Sequence, residues 1–185
     1  MDVVKSMNVC EHPTAMPDSE AARMHFERLL GQHAGIIRKI AFGYARTESE
    51  RRDLAQEIAL QLWRAYPRYS PERTFSTWMY RIALNVAISF LRKNTRPGRE
   101  MVPFDELKHD VVQQPSSSAE AEERIATLQQ LIDQFQPLDR ALLLLYLDDC
   151  SYRKIASVLG LTETNVATKL NRLKERLRQK LITQA

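Results

Sequence analysis

Short polar and cationic side chains alternate with leucines between residues 162 and 178 of this 185-residue chain. Threonine, asparagine and arginine can reach base edges in a DNA groove, whereas lysine and arginine also pair with backbone phosphates. At helical spacing these side chains share one face of the segment. The expected base contacts are Thr164, Asn165, Thr168, Asn171 and Arg172, and the expected phosphate contacts are Lys169, Lys174, Arg176 and Arg178.

Residues 151–166 have the spacing of a DNA-reading helix-turn-helix. Gly160 permits a tight turn with positive φ, and the hydroxyl of Thr162 can cap the second helix. A helical hairpin with a basic outer face is the alternative. The expected buried face is Ile155, Leu159, Leu161 and Val166, continued by Leu170, Leu173 and Leu177, with the small Ala156 where the two helices approach.

A second amphipathic helix is predicted over residues 52–63. Leu54, Ile58 and Leu62 recur at i, i+4 and i+8, together with Ala55, Ala59 and Trp63, and predict a buried stripe. The opposite side carries Asp53, Gln56, Glu57, Leu60 and Arg64. By itself this side is an ordinary solvated helix face.

The chemistry of an enzyme or a metal site is not indicated. The four histidines, at positions 12, 25, 33 and 109, form no motif with cysteine or serine, and we find neither a glycine-rich phosphate loop nor an acidic metal cluster. Cys10 and Cys150 lie far apart and indicate neither a disulfide framework nor zinc. We therefore expect a protein without catalysis, cofactor or metal. The sequence shows no run of about 18 apolar residues and no signal peptide, so we expect the protein in the cytoplasm.

Composition and charge divide the chain into two helical domains. Only 5 glycines and scattered β-branched residues favour an all-α fold, and the proline- and serine-rich stretch from Gly98 to about Ser118 predicts a linker. The net charge of +4 is unevenly distributed: residues 74–99 contain no acidic residue, whereas residues 100–123 are mainly acidic. The predicted units are a flexible tail (1–19), a first domain (20–97) of three or four helices, a flexible acidic linker (98–119) and a second domain (120–185).

The order and spacing of several motifs resemble extracytoplasmic-function (ECF) sigma factors of the sigma-70 family. Asp53-Leu54-x-Gln56-Glu57 with Trp63, then residues 75–85 from Phe75 to Asn85 and Leu91-Arg92-Lys93, are similar to their second conserved region. Pro137-Leu138-x-Arg140 with Tyr152-x-x-Ile155-Ala156 and the helix-turn-helix is similar to their fourth region. The resemblance covers roughly residues 24–182.

In that family the acidic helix face binds the clamp helices of the largest polymerase subunit. The second region opens the promoter and holds an unstacked base, for which aromatic platforms on a basic helix are suited. For Phe75, Trp78 and Tyr80 the alternative is core packing, which we favour for Trp78. The resemblance implies polymerase contacts for Asp53, Gln56, Glu57 and Leu60, −10 element contacts for Phe75, Trp78, Asn85, Arg92 and Lys93, and −35 element contacts for Thr164, Asn165, Thr168, Lys169, Asn171 and Arg172.

The implied function is promoter recognition and transcription initiation as an alternative sigma factor. The implied partners are core RNA polymerase, through its β′ clamp and β flap, double- and single-stranded promoter DNA, and an anti-sigma factor. As in the family, the linker is expected to be disordered in the free protein and to enter the polymerase channels for RNA. Ser89 and Ala167 depart from the residues common in the family, so the promoter sequence is not transferred. A helix-turn-helix regulator that acts without polymerase is the alternative function.

Overall fold

The computed structural model describes residues 20–94, residue 127 and residues 130–184. The expected tail (1–19) and linker (98–119) lie outside the described residues. All secondary structure in the described part of the chain is helical, as the sequence predicts.

The first domain contains four α-helices, at the upper end of the expected number. A 3-10 turn, Tyr66–Arg68, and a loop fill the predicted break around residues 67–73. A further break at His33, which the sequence pattern did not predict, separates the first two helices. The helices are α1 (Glu20–Gln32), α2 (Ala34–Tyr44), α3 (Glu48–Ala65) and α4 (Phe75–Asn94).

Helix α3 begins at a capping box. The Oγ1 atom of Thr47 accepts a hydrogen bond from the Glu50 amide at 3.1 Å, and the Glu50 carboxylate accepts one from the Thr47 amide at 3.1 Å. This reciprocal pair satisfies amides that have no partner within the helix. It fixes the start of the helix that carries Asp53 and Glu57.

From residue 137 onward the described part of the second domain contains three α-helices, interrupted where the sequence predicts, and residues 130–133 before them are also helical. Helix α5 (Pro137–Leu147) starts at a proline, which is favoured in the first turn because its missing N–H is not needed there. Helix α6 (Tyr152–Leu159) is capped by Ser151, whose side chain accepts a hydrogen bond from the Lys154 amide at 3.2 Å. Helix α7 spans Glu163–Gln184.

The turn between α6 and α7 confirms the helix-turn-helix prediction. Gly160 has φ of 68°, and the amide of Leu161 donates to the carbonyl of Ala156 at 3.0 Å, which closes the end of α6. The Oγ1 atom of Thr162 accepts from the amide of Asn165 at 3.2 Å and caps α7.

The two domains contact each other, an arrangement that the sequence did not predict. Helices α2 and α4 of the first domain pack against α5, and α4 also packs against α6. Buried side chains from both domains form one contiguous apolar cluster. A Cβ atom at Gly43 of α2 would lie 2.7 Å from Cδ1 of Leu144 in α5, so a larger residue there would require the Leu144 side chain to shift.

We predict opposite effects of alanine at two exposed glycines. Gly160→Ala should destabilise the protein by about 1 kcal/mol, because a non-glycine residue is strained in the left-handed conformation. Gly31→Ala, within α1, should instead stabilise it by up to about 1 kcal/mol through helix propensity. Neither added Cβ would meet an atom within 4 Å, so steric clashes do not enter the comparison. Free energies of unfolding from denaturant titration test this, and a stabilising Gly160→Ala would contradict the turn geometry.

Candidate nucleic-acid and protein interfaces

Helix α7 holds the expected base-contacting side chains on its outer face. Val166 and Leu170 are fully buried and Leu173 is 2% exposed, and these three fix the rotation of the helix against its domain. Positions 164, 165, 168, 171 and 172 are spaced i, i+1, i+4, i+7 and i+8 along the helix, so their side chains must face outward together. The structure places Thr164, Asn165, Thr168, Asn171 and Arg172 in exposed positions and Lys169 in a half-buried one.

The start of α7 is suited to receive an anion. Backbone amides at a helix N-terminus point outward with the positive end of the helix dipole, which favours a phosphate at this position. The cap at Thr162 holds the first turn, so the exposed Thr164 and Asn165 lie next to that end. The start of α7 therefore combines an anion-binding helix end with an exposed polar face.

Two of the expected phosphate-binding cations have partners inside their own domain. The Lys174 ammonium lies 4.2 Å from the centroid of the Tyr146 ring, and a hydrogen bond to Tyr146 raises the pKa of Lys174. Arg176 pairs with Asp139 at 3.7 Å and its guanidinium lies 5.1 Å from the centroid of the Phe135 ring. Both side chains therefore attach α7 to the rest of its domain, a role that the sequence did not predict.

The outer face of α3 carries the four expected protein-binding residues together. Leu54, Ile58 and Leu62 are fully buried, as predicted, and they hold α3 against α2 and α4. The opposite face is exposed, and Leu60, at 41% exposure, is one of its few large apolar side chains. The Nε2 atom of Gln61 donates to Oε1 of Glu57 at 2.8 Å. The exposed group is Asp53, Gln56, Glu57 and Leu60.

The aromatic residues expected to hold an unstacked base belong to a cluster at the start of α4. Phe75 is only 6% exposed, with ring centroids 5.2 Å from Trp78 and 5.5 Å from Tyr69. Trp78 is half-buried and its ring also lies 5.2 Å from that of Tyr69. The burial of Phe75 leaves little of its face for a base, whereas Trp78 and Tyr69 keep part of their surface accessible.

The polar residues of α4 follow the aromatic cluster toward the C-terminal end of the helix. Arg92 and Lys93 are exposed and Asn85 is half-buried. Arg81 is also exposed and lies one turn before Asn85, so Arg81, Asn85 and Arg92 follow one line along the helix. Arg81 was not among the expected DNA contacts, although helical spacing alone could have identified it.

Cys150 is buried at the end of the turn after α5. Its side chain is 8% exposed and free of disulfides, and burial raises the pKa of its thiol. Because the thiolate is the reactive form, this position disfavours nucleophilic chemistry. Cys10 lies outside the described residues.

Within the described residues, no group of three or more His, Cys, Asp or Glu side chains could hold a metal ion. The helices of that part of the chain also include none that is long and apolar enough to cross a membrane.

Both halves of the chain match models of known families. Residues 29–97 match sigma-70 region 2, and residues 125–177 match sigma-70, region 4. The ECF RNA polymerase sigma factor SigE of Mycolicibacterium smegmatis is 28% identical over 167 residues, which are 88% of this chain and 63% of SigE. This chain therefore spans less than two thirds of the length of that relative.

A second relative and a solved structure agree with these matches. The ECF RNA polymerase sigma factor SigW of Bacillus subtilis is 30% identical over 142 residues, covering 71% of this chain and 75% of SigW. CnrH, solved in complex with the cytosolic domain of CnrY, has a similar fold with a TM-score of 0.67 and 19% identity, covering 90% of this chain and 95% of CnrH. Both family models match sigma-70 regions, and SigW is 30% identical to this chain. The chain therefore belongs to the ECF family of RNA polymerase sigma factors.

Proposed function

We propose that this chain binds core RNA polymerase and directs it to promoters as an alternative sigma factor. The observation that carries the proposal is the presence, in one chain, of an exposed acidic helix face on α3 and a DNA-reading face on α7. A regulator without polymerase would need only the second of these surfaces. The chain itself catalyses no reaction in this proposal, because RNA synthesis belongs to the polymerase.

The α3 face supplies the polymerase contact. Asp53 and Glu57 offer negative charge to a basic clamp surface, and Leu60, one turn after Glu57, provides an apolar anchor beside them. Complementary charge guides association, whereas the desolvated apolar centre adds to the lifetime of the complex. Because the buried stripe of α3 is on the opposite side, this face can bind a partner without a change in the domain.

The promoter is contacted by both domains. Trp78, Asn85, Arg92 and Lys93 would hold the −10 element, with Arg81 as a further phosphate contact and Phe75 packed against Trp78. The exposed positions of α7, with Lys169, would read the −35 element in the major groove. The C-terminal domain would then lie at the upstream element and the N-terminal domain at the downstream element, so the order along the promoter is the reverse of the order along the chain.

The domain boundaries expected from the sequence fit this function. We assign residues 20–97 to region 2 and residues 120–185 to region 4, with residues 98–119 connecting them and residues 1–19 preceding both. The family matches over residues 29–97 and 125–177 support this division.

We place the protein in the cytoplasm, where bacterial DNA and polymerase meet. The β′ clamp and β flap of the polymerase and the promoter DNA are the proposed partners. CnrH is bound to the cytosolic domain of CnrY, and by analogy an anti-sigma protein is a further candidate partner for this chain.

The first prediction concerns the α3 face. The double variant Asp53→Arg/Glu57→Arg should keep its stability within about 0.5 kcal/mol per site, because both positions are exposed. Its affinity for core polymerase should collapse, since like charges then face each other. The matched control is Glu20→Arg/Glu27→Arg on α1, which makes the same change of net charge on another exposed surface. Melting temperature, polymerase affinity and transcription are measured for both, and equal polymerase affinity in the two variants would contradict the assignment.

A second prediction separates base reading from phosphate binding on α7. In the polymerase complex, Asn171→Ala and Arg172→Ala should each weaken binding to the matched −35 element by about 1–3 kcal/mol, with a smaller loss on mismatched sites. Lys169→Ala should weaken binding to all sites alike. Lys174 is a poor choice for that comparison because it packs on Tyr146. Equal losses on matched and mismatched sites for all three variants would exclude base reading by α7.

A further inference from the structure

The aromatic cluster at the start of α4 continues beyond the residues expected to contact DNA. Between ring centroids, Tyr69 lies 5.2 Å from Trp78 and 6.1 Å from Tyr66. The Tyr66 ring in turn lies 6.5 Å from that of Trp63. The sequence pattern predicts Trp63 in the buried stripe of α3, but the structure leaves it half-buried, with part of its surface accessible. The aromatic row is Trp63, Tyr66, Tyr69 and Trp78.

Three rings of the aromatic row lie in nearly parallel planes. The angle between the ring planes is 9° for Trp63 and Tyr66 and 16° for Tyr66 and Tyr69. Aromatic carbons in direct contact are about 3.5–4.0 Å apart, so near-parallel rings with centroids 6.1–6.5 Å apart do not cover each other's faces. The row therefore offers a succession of flat apolar surfaces in nearly one orientation.

A buried phenylalanine of α1 supports two of these rings. Phe26 is only 4% exposed, and its ring centroid lies 5.1 Å from that of Trp63 and 5.0 Å from that of Tyr66. Trp63 and Tyr66 are themselves half-buried. Both rings are therefore held on the core and still keep accessible surface.

Hydrogen bonds fix the orientation of the two tyrosine rings. The Tyr66 hydroxyl and Nδ1 of His25 in α1 are 2.7 Å apart, and the Tyr69 hydroxyl donates to the carbonyl of Arg73 at 3.0 Å. Each ring is thus held by the backbone at one end and by its hydroxyl at the other. A ring that is already fixed loses little entropy when a planar ligand stacks on it.

Cationic side chains accompany the aromatic row. Arg64 and Arg68 belong to the segment that carries it, and both are exposed. Arg28 of α1 is also exposed and lies near Tyr66, because burial raises the pKa of the Tyr66 hydroxyl and the charge of Arg28 opposes this rise. Residues 58–71 include no acidic side chain. The surroundings of the row are therefore suited to a ligand with negative charge.

Flat apolar faces beside cations are suited to unpaired nucleobases. Every base has a π face that an aromatic ring can bind, whereas duplex DNA keeps these faces inside its own stack. The Tyr66 ring lies 6.4 Å from that of Trp78, which is less than twice the rise of about 3.4 Å between successive bases of one strand in B-form DNA. A strand that places one base on Trp78 can therefore bring a neighbouring base to Tyr66.

We propose that Trp63 and Tyr66 form a second stacking site for unpaired bases of promoter DNA, continuous with the site at Trp78. The inference rests on the proposed function, because promoter DNA is single-stranded at this row only if the chain directs polymerase to open it. Stacking on ring faces is tolerant of sequence. The second site therefore adds affinity for the opened strand and prolongs the life of the opened promoter without adding base specificity.

Tryptophan fluorescence tests the site, because the only two tryptophans of the sequence both belong to the aromatic row. In the full chain with Trp78→Phe, Trp63 is the single reporter, and a base stacked on its ring quenches its emission. Single-stranded DNA of about 12 nucleotides and mixed sequence is added to this variant. Emission should fall with this DNA and should not fall with an abasic strand of the same length and charge.

Substitutions at Tyr66 separate stacking from folding. Tyr66→Leu keeps an apolar side chain over Phe26 but removes the π face, so affinity for the single-stranded DNA should fall about fivefold or more. Tyr66→Phe keeps the ring and should retain most of the affinity. The matched control is Phe42→Leu, which removes a half-buried aromatic ring of α2 outside the row and should leave the affinity unchanged. Melting temperatures confirm that all variants are folded.

Unchanged Trp63 emission would overturn the second stacking site, as would equal affinities of Tyr66→Leu and Phe42→Leu for the single-stranded DNA. With core polymerase, Tyr66→Leu should shorten the life of the opened promoter at unchanged start sites, and an unchanged lifetime would also contradict the site. Absence of transcription with the unmodified chain would instead refute the proposed function. The fluorescence and affinity measurements use the free chain, so the two failures are distinguishable.

Discussion

Burial of one apolar stripe on each long helix is the interaction on which the functional surfaces depend. Leu54, Ile58 and Leu62 are fully buried along α3, and each such leucine or isoleucine contributes about 1.5–3 kcal/mol to the stability of the fold. Because the stripe fixes the rotation of α3, the Asp53 and Glu57 carboxylates must point outward. The same constraint, from Val166 and Leu170, orients the outer face of α7. Neither surface needs interactions of its own to be held in place.

The two domains are joined by a contact that combines apolar packing with polar groups. Buried side chains of both domains form one contiguous apolar cluster, and charged and hydroxyl groups at Asp148, Lys39 and Tyr80 lie beside it. Polar contacts of this type give a defined geometry at a modest net free energy, since the same groups are well solvated after separation.

Local patterns in the sequence predicted the features that depend on neighbouring residues. The stripe of α3, the turn at Gly160 and the cap at Thr162 all follow from spacings of a few residues. Local spacing does not determine the burial of Phe75 or the ion pair between Arg176 and Asp139, because both depend on residues that folding brings together. The contact between Tyr80 and Asp148 joins positions 68 residues apart, and no periodicity in either helix indicates it. The roles of the individual surface residues stay predictions.

Transcription by core polymerase in the presence of the purified chain tests the central claim most directly. Genomic DNA of the bacterium that encodes the chain serves as template, and the 5′ ends of the RNA are mapped with and without the protein. The account predicts discrete start sites that require the added chain and share two sequence elements upstream. No new start sites, from a folded chain that still binds the same DNA by itself, would contradict the account and favour a regulator that acts without polymerase.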